Sequence, residues 1–322
     1  MADWMRMVSG KEKGFPPLLI LLVILFVLPL VLRNQYILHL VILVMLWAAL
    51  GVSWNLLGGY TGQVSFGHAA FFGVGAYTAC LLHAKLGVSL WAGFFFAGVA
   101  GALISIPIGV ICLRLRGPYF ALSVLALAEI LRLIALYWKS FTEGAVGILL
   151  VIPVMESKIE YYYLILGLGI LIMLTVTFIL KRRMGFYFMA IREDEDAAEA
   201  LGIFTTRYKL LSLVVSAFFT GILGSFFANY TQFIDPYIVF AIGEVSIAMV
   251  LVVVLGGIGT LWGPAVGALV VVLLSEGFRT YFAQASLLVY GALIIIVILF
   301  LPRGIMGSIK TKGHLPAVGK GG

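Results

Sequence analysis

The sequence predicts an all-α polytopic membrane protein of about ten transmembrane helices, and three observations carry that prediction. Of 322 residues, 63% are hydrophobic and only 11% charged, where an ordinary soluble domain carries roughly a quarter charged residues. The apolar residues fall in long runs, several near the roughly 20 residues that a hydrocarbon core requires. The charges are collected into the few segments between those runs. The net charge of +7 is therefore judged by position; it marks membrane orientation rather than nucleic acid.

Taken in order, the runs lie near 16–33, 37–57, 67–84, 88–113, 119–138, 161–180, 208–229, 242–256, 263–281 and 286–302. The first follows Arg6, Lys11 and Lys13 and has the outline of a signal peptide, but it is followed by Arg33-Asn34-Gln35-Tyr36 rather than a small-x-small cleavage site, so it reads as a retained span. The third and eighth are short enough for re-entrant segments. An N-terminus in the cytoplasm places fifteen of the 21 Lys and Arg residues inside: three in the N-terminal tail, Arg114 and Arg116, six between Lys181 and Lys209, and four in the C-terminal tail. The opposite orientation inverts the positive-inside bias. The expected organisation is a cytoplasmic tail at 1–15, a single transmembrane domain at 16–302 with a polar loop at 181–209, and a second cytoplasmic tail at 303–322.

Cys80 and Cys112 lie in apolar runs without ligand spacing and read as core residues, with neither a disulfide framework nor a metal site indicated. No GxxxxGK[ST] loop occurs, so ATP hydrolysis by that route is excluded on this chain. There is also no HExxH, GxSxG or comparable nucleophile–base set, hence no catalytic residues and no enzyme.

Two glycine-rich breaks interrupt the apolar pattern. Gly58, Gly59, Thr61, Gly62, Gln63, Ser65 and His68 fall in "GGYTGQVSFGH", and Gly256, Gly257, Gly259 and Thr260 form a fainter echo in "VLGGIGT". Lipid cannot satisfy free backbone groups, so such a break either lines a wet path or is a tight turn packed between helices. Repeated halves with interrupted helices are common in transporters. Glu129 and Arg132 stand i, i+3 in the fifth run and can meet on one helix face, an internally satisfied structural pair. Glu244 and Glu276 also fall in apolar runs, and with Glu129 they motivate an alternative class, an ion-coupled secondary transporter.

The polar loop reads "KRRMGFYFMAIREDEDAAEALGIFTTRYK". Its middle, from about Tyr187 to Leu201, has neither Gly nor Pro and predicts one helix ended by Gly202, with Thr205 or Thr206 capping the next span. Its small Ala197-Ala198 pair suits close approach of another protein.

Asp196-Ala197-Ala198-Glu199-Ala200-Leu201-Gly202 resembles the EAA-x3-G loop of ABC importer permeases, with Asp196 where Glu is usual. Together with "GGYTGQVSFGHAAFFGVGAYTA", "LRLRGPYFALSVLALAEILRL", "GGIGTLWGPAVGALVVVLLSE" and "LFLPRGIMG", it resembles the M-type permease subunit of branched-chain amino acid ABC importers over roughly Leu46 to Gly307. The resemblance implies a permease in a bacterial or archaeal cytoplasmic membrane. Its implied partners are a second homologous permease, two ATP-binding cassette subunits and an extracytoplasmic binding protein, with ATP and Mg on the ATPase subunits and no cofactor on this chain. It implies that Arg192, Glu193, Glu195, Asp196, Ala197, Ala198, Glu199 and Gly202 form the coupling segment, the acidic residues meeting basic groups of the ATPase. The two glycine breaks would be a flexible wall of the translocation pathway at the permease interface. Urea and short-amide importers use related permeases and are the alternative in substrate.

Overall fold

A computed structural model describes residues 23–30, 34–150, 155, 157–281, 291 and 304–306. The chain is an all-α polytopic membrane protein. Among the described residues seven helices are long and apolar enough to cross a membrane: Gln35–Tyr60, His68–Leu86, Trp91–Cys112, Pro118–Tyr137, Lys158–Lys181, Thr205–Thr231 and Pro236–Gly256. They correspond to the second through eighth apolar runs. The ninth run forms a helix over Gly263–Tyr281. The first is helical over the described residues 23–30 (α1), and the tenth, save Gly291, lies outside the described residues.

Local chemistry sets the helix ends. Asn34 caps α2 (Gln35–Asn55) by accepting from the Tyr36 N–H; α3 (His68–Leu86) stops at Gly87, whose φ of 62° is left-handed. Helix α4 spans Leu90–Cys112. Helix α5 (Pro118–Tyr137) starts on Pro118, whose missing N–H costs nothing in the first turn. A one-turn helix, α6 (Lys139–Thr142), and the two-residue strand β1 (Ile148–Leu149) lead to α7 (Lys158–Lys181), capped by Ser157. Helices α8 (Arg183–Glu193) and α9 (Glu195–Ala200) occupy the polar loop before α10 (Thr205–Thr231). Strand β2 (Phe233–Ile234) pairs antiparallel with β1, Ile148 opposite Ile234. The span Pro236–Gly256 is not one regular helix: α11 (Pro236–Val239) is separated by extended Ala241 from a π-helical turn, Ile242–Ile247, which continues into α12 (Ala248–Gly256). Helix α13 is Gly263–Tyr281.

Helix α10 is the axis of the bundle, packed along α3 and α4. The approach is close because the meeting residues are small: a Cβ on Gly221 would stand 2.5 Å from the Ala97 carbonyl, and one on Gly75 2.1 Å from that of Gly221. A second layer of α2, α12 and α13 packs against this axis and against α7. By contrast α5 and α7 leave several large apolar side chains outward, among them Leu122, Tyr137, Leu171, Leu174 and Phe178, as lipid or a neighbouring subunit permits. Both cysteines are free and buried.

Candidate functional site

The two glycine breaks meet. Helix α2 does not end before the first of them, because Leu56–Tyr60 continues it as a π-helical turn; Gly58 and Gly59 therefore lie inside helical backbone and the irregular stretch begins at Thr61. At position 59 a Cβ would stand 1.8 Å from Asn55 Oδ1 and 2.8 Å from the Gly259 nitrogen. Asn55 closes the contact from both sides: its Oδ1 accepts from the Gly259 N–H at 2.9 Å and its Nδ2 donates to the Thr260 carbonyl at 2.8 Å. Thr260 Oγ1 in turn donates to the Gly257 carbonyl and accepts from the Gly263 N–H. Gly256 packs on Gly263 with no room for a side chain. Asn55 was not singled out from sequence; its amide at the end of a long apolar helix, three residues before a glycine pair, is the signal that could have found it.

The polar side chains of the first break turn inward. Thr61 donates to the Leu56 carbonyl at 3.0 Å, and Gln63 is buried. His68 is fully buried and bonded at both ring nitrogens, Nδ1 to Ser65 Oγ at 3.1 Å and Nε2 to Ser216 Oγ at 2.8 Å. Since Ser216 Oγ donates to the Ser53 carbonyl, the network assigns the proton to Nε2, with Ser65 donating to Nδ1. Trp54 Nε1 donates to the Ser65 carbonyl at 2.7 Å. The stretch is therefore held by hydrogen bonds within itself and to α2 and α10. Its outward face in this chain is Gly62 and Val64.

Helix α8 lies directly on this joint. A Cβ on Gly62 would meet the Arg192 Cα at 3.2 Å, and one on Gly259 the Arg192 guanidinium at 2.4 Å. Arg192 thus touches both breaks at once. The single helix expected from Tyr187 to Leu201 is two: Asp194 is extended, ends α8, and caps α9 by accepting from the Ala197 N–H at 3.0 Å. Acidic residues at 195 and 196 then stand in the first turn of α9, where the helix dipole favours them. The run of four acids from Glu193 to Asp196 was the sequence signal for a helix start.

The far end of α9 matches expectation. Gly202 is left-handed at φ 84°, and the bonds Ile203 N to Ala198 O and Gly202 N to Glu199 O form a Schellman closure. Neither threonine caps α10. Thr205 is its first residue, and its hydroxyl donates instead to Glu199.

Ala197 and Ala198 part company. Ala197 is exposed, whereas Ala198 is only 2% exposed and packs within this chain. The exposed apolar knob lies further on, at Leu201 and Phe204, 82% and 75% exposed. The acidic cluster is likewise engaged at home. Glu195 pairs with the fully buried Lys209, and Asp196 with Arg116 at 2.7 Å. The hydrogen bond from Arg116 to Asp196 raises the already high pKa of the guanidinium. Glu193 is exposed and makes no ion pair among the described residues.

Glu129 and Arg132 form the expected pair, with Arg132 Nε at 2.9 and 3.0 Å from the two carboxylate oxygens and its guanidinium over the Tyr237 ring. This closes one residue of the supposed ion route. Glu244 is exposed on the π-helical turn.

A family model described as branched-chain amino acid transport system / permease component matches residues 36–298. The high-affinity branched-chain amino acid transport system permease protein LivM of Salmonella typhimurium is 29% identical over 297 residues, covering 83% of this chain and 69% of the relative. LivM of Escherichia coli K12 is 29% identical over 299 residues, 84% and 70%. LivH of the same strain, also named a permease protein of that system, is 28% identical over 288 residues, 83% and 92%. No solved structure matches. With the match running through both glycine breaks, α8, α9 and most of the helical bundle, the chain belongs to the family of permease components of branched-chain amino acid transport systems.

Proposed function

We propose that this permease imports branched-chain or closely related amino acids, driven by ATP hydrolysed on separate subunits. The chain pairs with a second permease of the same family. Two ATP-binding cassette subunits, carrying ATP and Mg, dock on the segment 181–209, and an extracytoplasmic binding protein delivers the substrate. Both termini and this segment face the cytoplasm of a cytoplasmic membrane crossed about ten times; the transmembrane domain runs from 16 to 302, between tails at 1–15 and 303–322.

The observation that carries the reading is α9: a short helix with a cap at each end, ion-paired to the bundle, that turns Ala197, Ala200, Leu201 and Phe204 outward. A free polar loop would not hold large apolar side chains in the open beside a rigid helix, whereas a groove in a partner would accept them. ATP binding closes the ATPase dimer, α9 moves with it, and Arg192 passes the displacement to the contact between the glycine breaks. There Gly58, Gly59, Thr61, Gly62, Gln63, Ser65, His68, Gly256, Gly257, Gly259 and Thr260 act as the joint at the cytoplasmic mouth of the pathway, so access alternates between the two sides.

The test is uptake into proteoliposomes holding both permeases, the ATPase subunits and the binding protein. Leucine uptake that requires ATP inside and is competed by unlabelled leucine but not urea is expected. Accumulation by the permease without ATPase subunits, or urea uptake indifferent to leucine, would overturn the reading. Leu201→Asp is expected to leave membrane insertion intact and to reduce co-purification of the ATPase subunits or their coupling to uptake.

A further inference from the structure

We propose that Lys209 and Glu195 are positioning residues that fasten α9 to α10, so that displacement of α9 is carried into the most deeply buried helix of the bundle. The inference rests on the reading of α9 as the docking helix and adds where its motion goes. Lys209 is fully buried near the base of α10. An ammonium there needs a carboxylate, since an unpaired charge in that setting is heavily penalised. Among the described residues the one acid in ion-pair distance is Glu195, in the first turn of α9.

Around this pair the polar groups converge. Thr205, at the start of α10, donates to Glu199, and its hydroxyl lies 3.4 Å from the Glu195 carboxylate. The Lys209 carbonyl accepts from Ser212 Oγ at 2.8 Å. From the α4–α5 corner, Arg116 reaches Asp196 at 2.7 Å and Glu195 at 3.9 Å. Helix α9 is thus tied at its first turn to α10 and to the corner, while its opposite face and its C-terminal end remain open.

The tie is directional. Gly202 and the residues after it form the only covalent link from α9 to α10, and a turn with a left-handed glycine bends readily under load. A buried ion pair has no such slack, because separating it strands the lysine. Removing the pair without stranding a charge should leave a docked α9 that moves while α10 lags. ATP would be hydrolysed with little transport.

The experiment uses the complete importer in proteoliposomes and reads substrate taken up per ATP hydrolysed. Lys209→Met combined with Glu195→Gln, which leaves no unpaired charge, is expected to assemble normally and hydrolyse ATP, yet to lower that ratio by about fivefold or more. Lys209→Arg, which keeps the pair, should retain at least half of it. In parallel, Leu201→Cys is cross-linked to the ATPase subunits; the native cysteines are buried and do not compete. If the cross-link forms and the neutral double variant keeps the wild-type ratio, the fastening role is wrong and the docking helix stands. If the double variant no longer assembles, the pair belongs to folding and the proposal also fails. If Leu201→Cys does not cross-link, the docking reading itself falls and takes this one with it.

Discussion

Two ion pairs in this chain have similar chemistry and opposite reach. Arg132 and Glu129 sit three residues apart on α5, bonded side by side; Lys209 and Glu195 sit fourteen apart on different helices. The first pair neutralises two charges inside one rigid element and, among the described residues, reaches beyond that element only to the Tyr237 ring. The second joins a helix at the edge of the bundle to its axis. Burial sharpens the contrast, since the Arg132 side chain is 20% exposed and that of Lys209 wholly enclosed. A charge pair in a membrane permease can thus be a local solution to the cost of charge, or a joint between parts.

The largest effect should come from stranding the enclosed member. Glu195→Ala leaves the Lys209 ammonium without its carboxylate, which costs about 3–5 kcal/mol in comparable buried pairs. The expected result is a sharp fall in the thermal midpoint of the detergent-purified chain. Glu129→Ala, by contrast, leaves Arg132 with the Tyr237 face and partial access to its surroundings, and should move the midpoint distinctly less. Equal losses in the two variants would erase the comparison.

An uncharged joint supplies the intermediate case. Asn55→Ala removes the two hydrogen bonds that lock the glycine breaks together and leaves the Gly259 N–H and Thr260 carbonyl to find other partners. The expected cost is about 1–3 kcal/mol, with uptake falling more than ATP hydrolysis. Asn55→Asp separates the two bonds: it keeps an acceptor for Gly259 and loses the donor to Thr260. Uptake intermediate between wild type and Asn55→Ala is the outcome that supports a clamp working through both atoms.

What the sequence disclosed follows the same division between local and distant. The pair at 129 and 132 was readable because helix geometry alone brings i and i+3 together. Gly202 was readable as a helix end for an equally local reason. Seven spans matched apolar runs because hydrophobicity along a segment needs no knowledge of its neighbours. The breaks at 58–62 and 256–260 were visible as a pattern, yet the amide joining them is 204 residues from Gly259 and drew no attention. The enclosure of His68 was hidden for the same reason, because its partner Ser216 lies 148 residues away and becomes a neighbour only after packing. The intrachain partners of Asp196 and Glu195 were hidden for that reason too: Arg116 and Lys209 lie 80 and 14 residues away, and spacing alone pairs neither.

Arg116 offers the smallest and most specific probe of the comparison. Its side chain is 54% exposed and that of Asp196 76% exposed, so water and salt screen the pair and its removal should not move the thermal midpoint measurably. If the corner between α4 and α5 nevertheless helps hold α9 in register, Arg116→Ala will reduce the ratio of uptake to ATP hydrolysis modestly at low ionic strength. The variant and the wild type should converge as salt is raised, because the wild type loses the same contact by screening. The Lys209 pair, whose ammonium is enclosed, should keep its contribution across that range. A salt dependence as steep in the Lys209→Met/Glu195→Gln variant as in wild type, but absent in Arg116→Ala, would assign the screened part of coupling to the corner and the unscreened part to the axis.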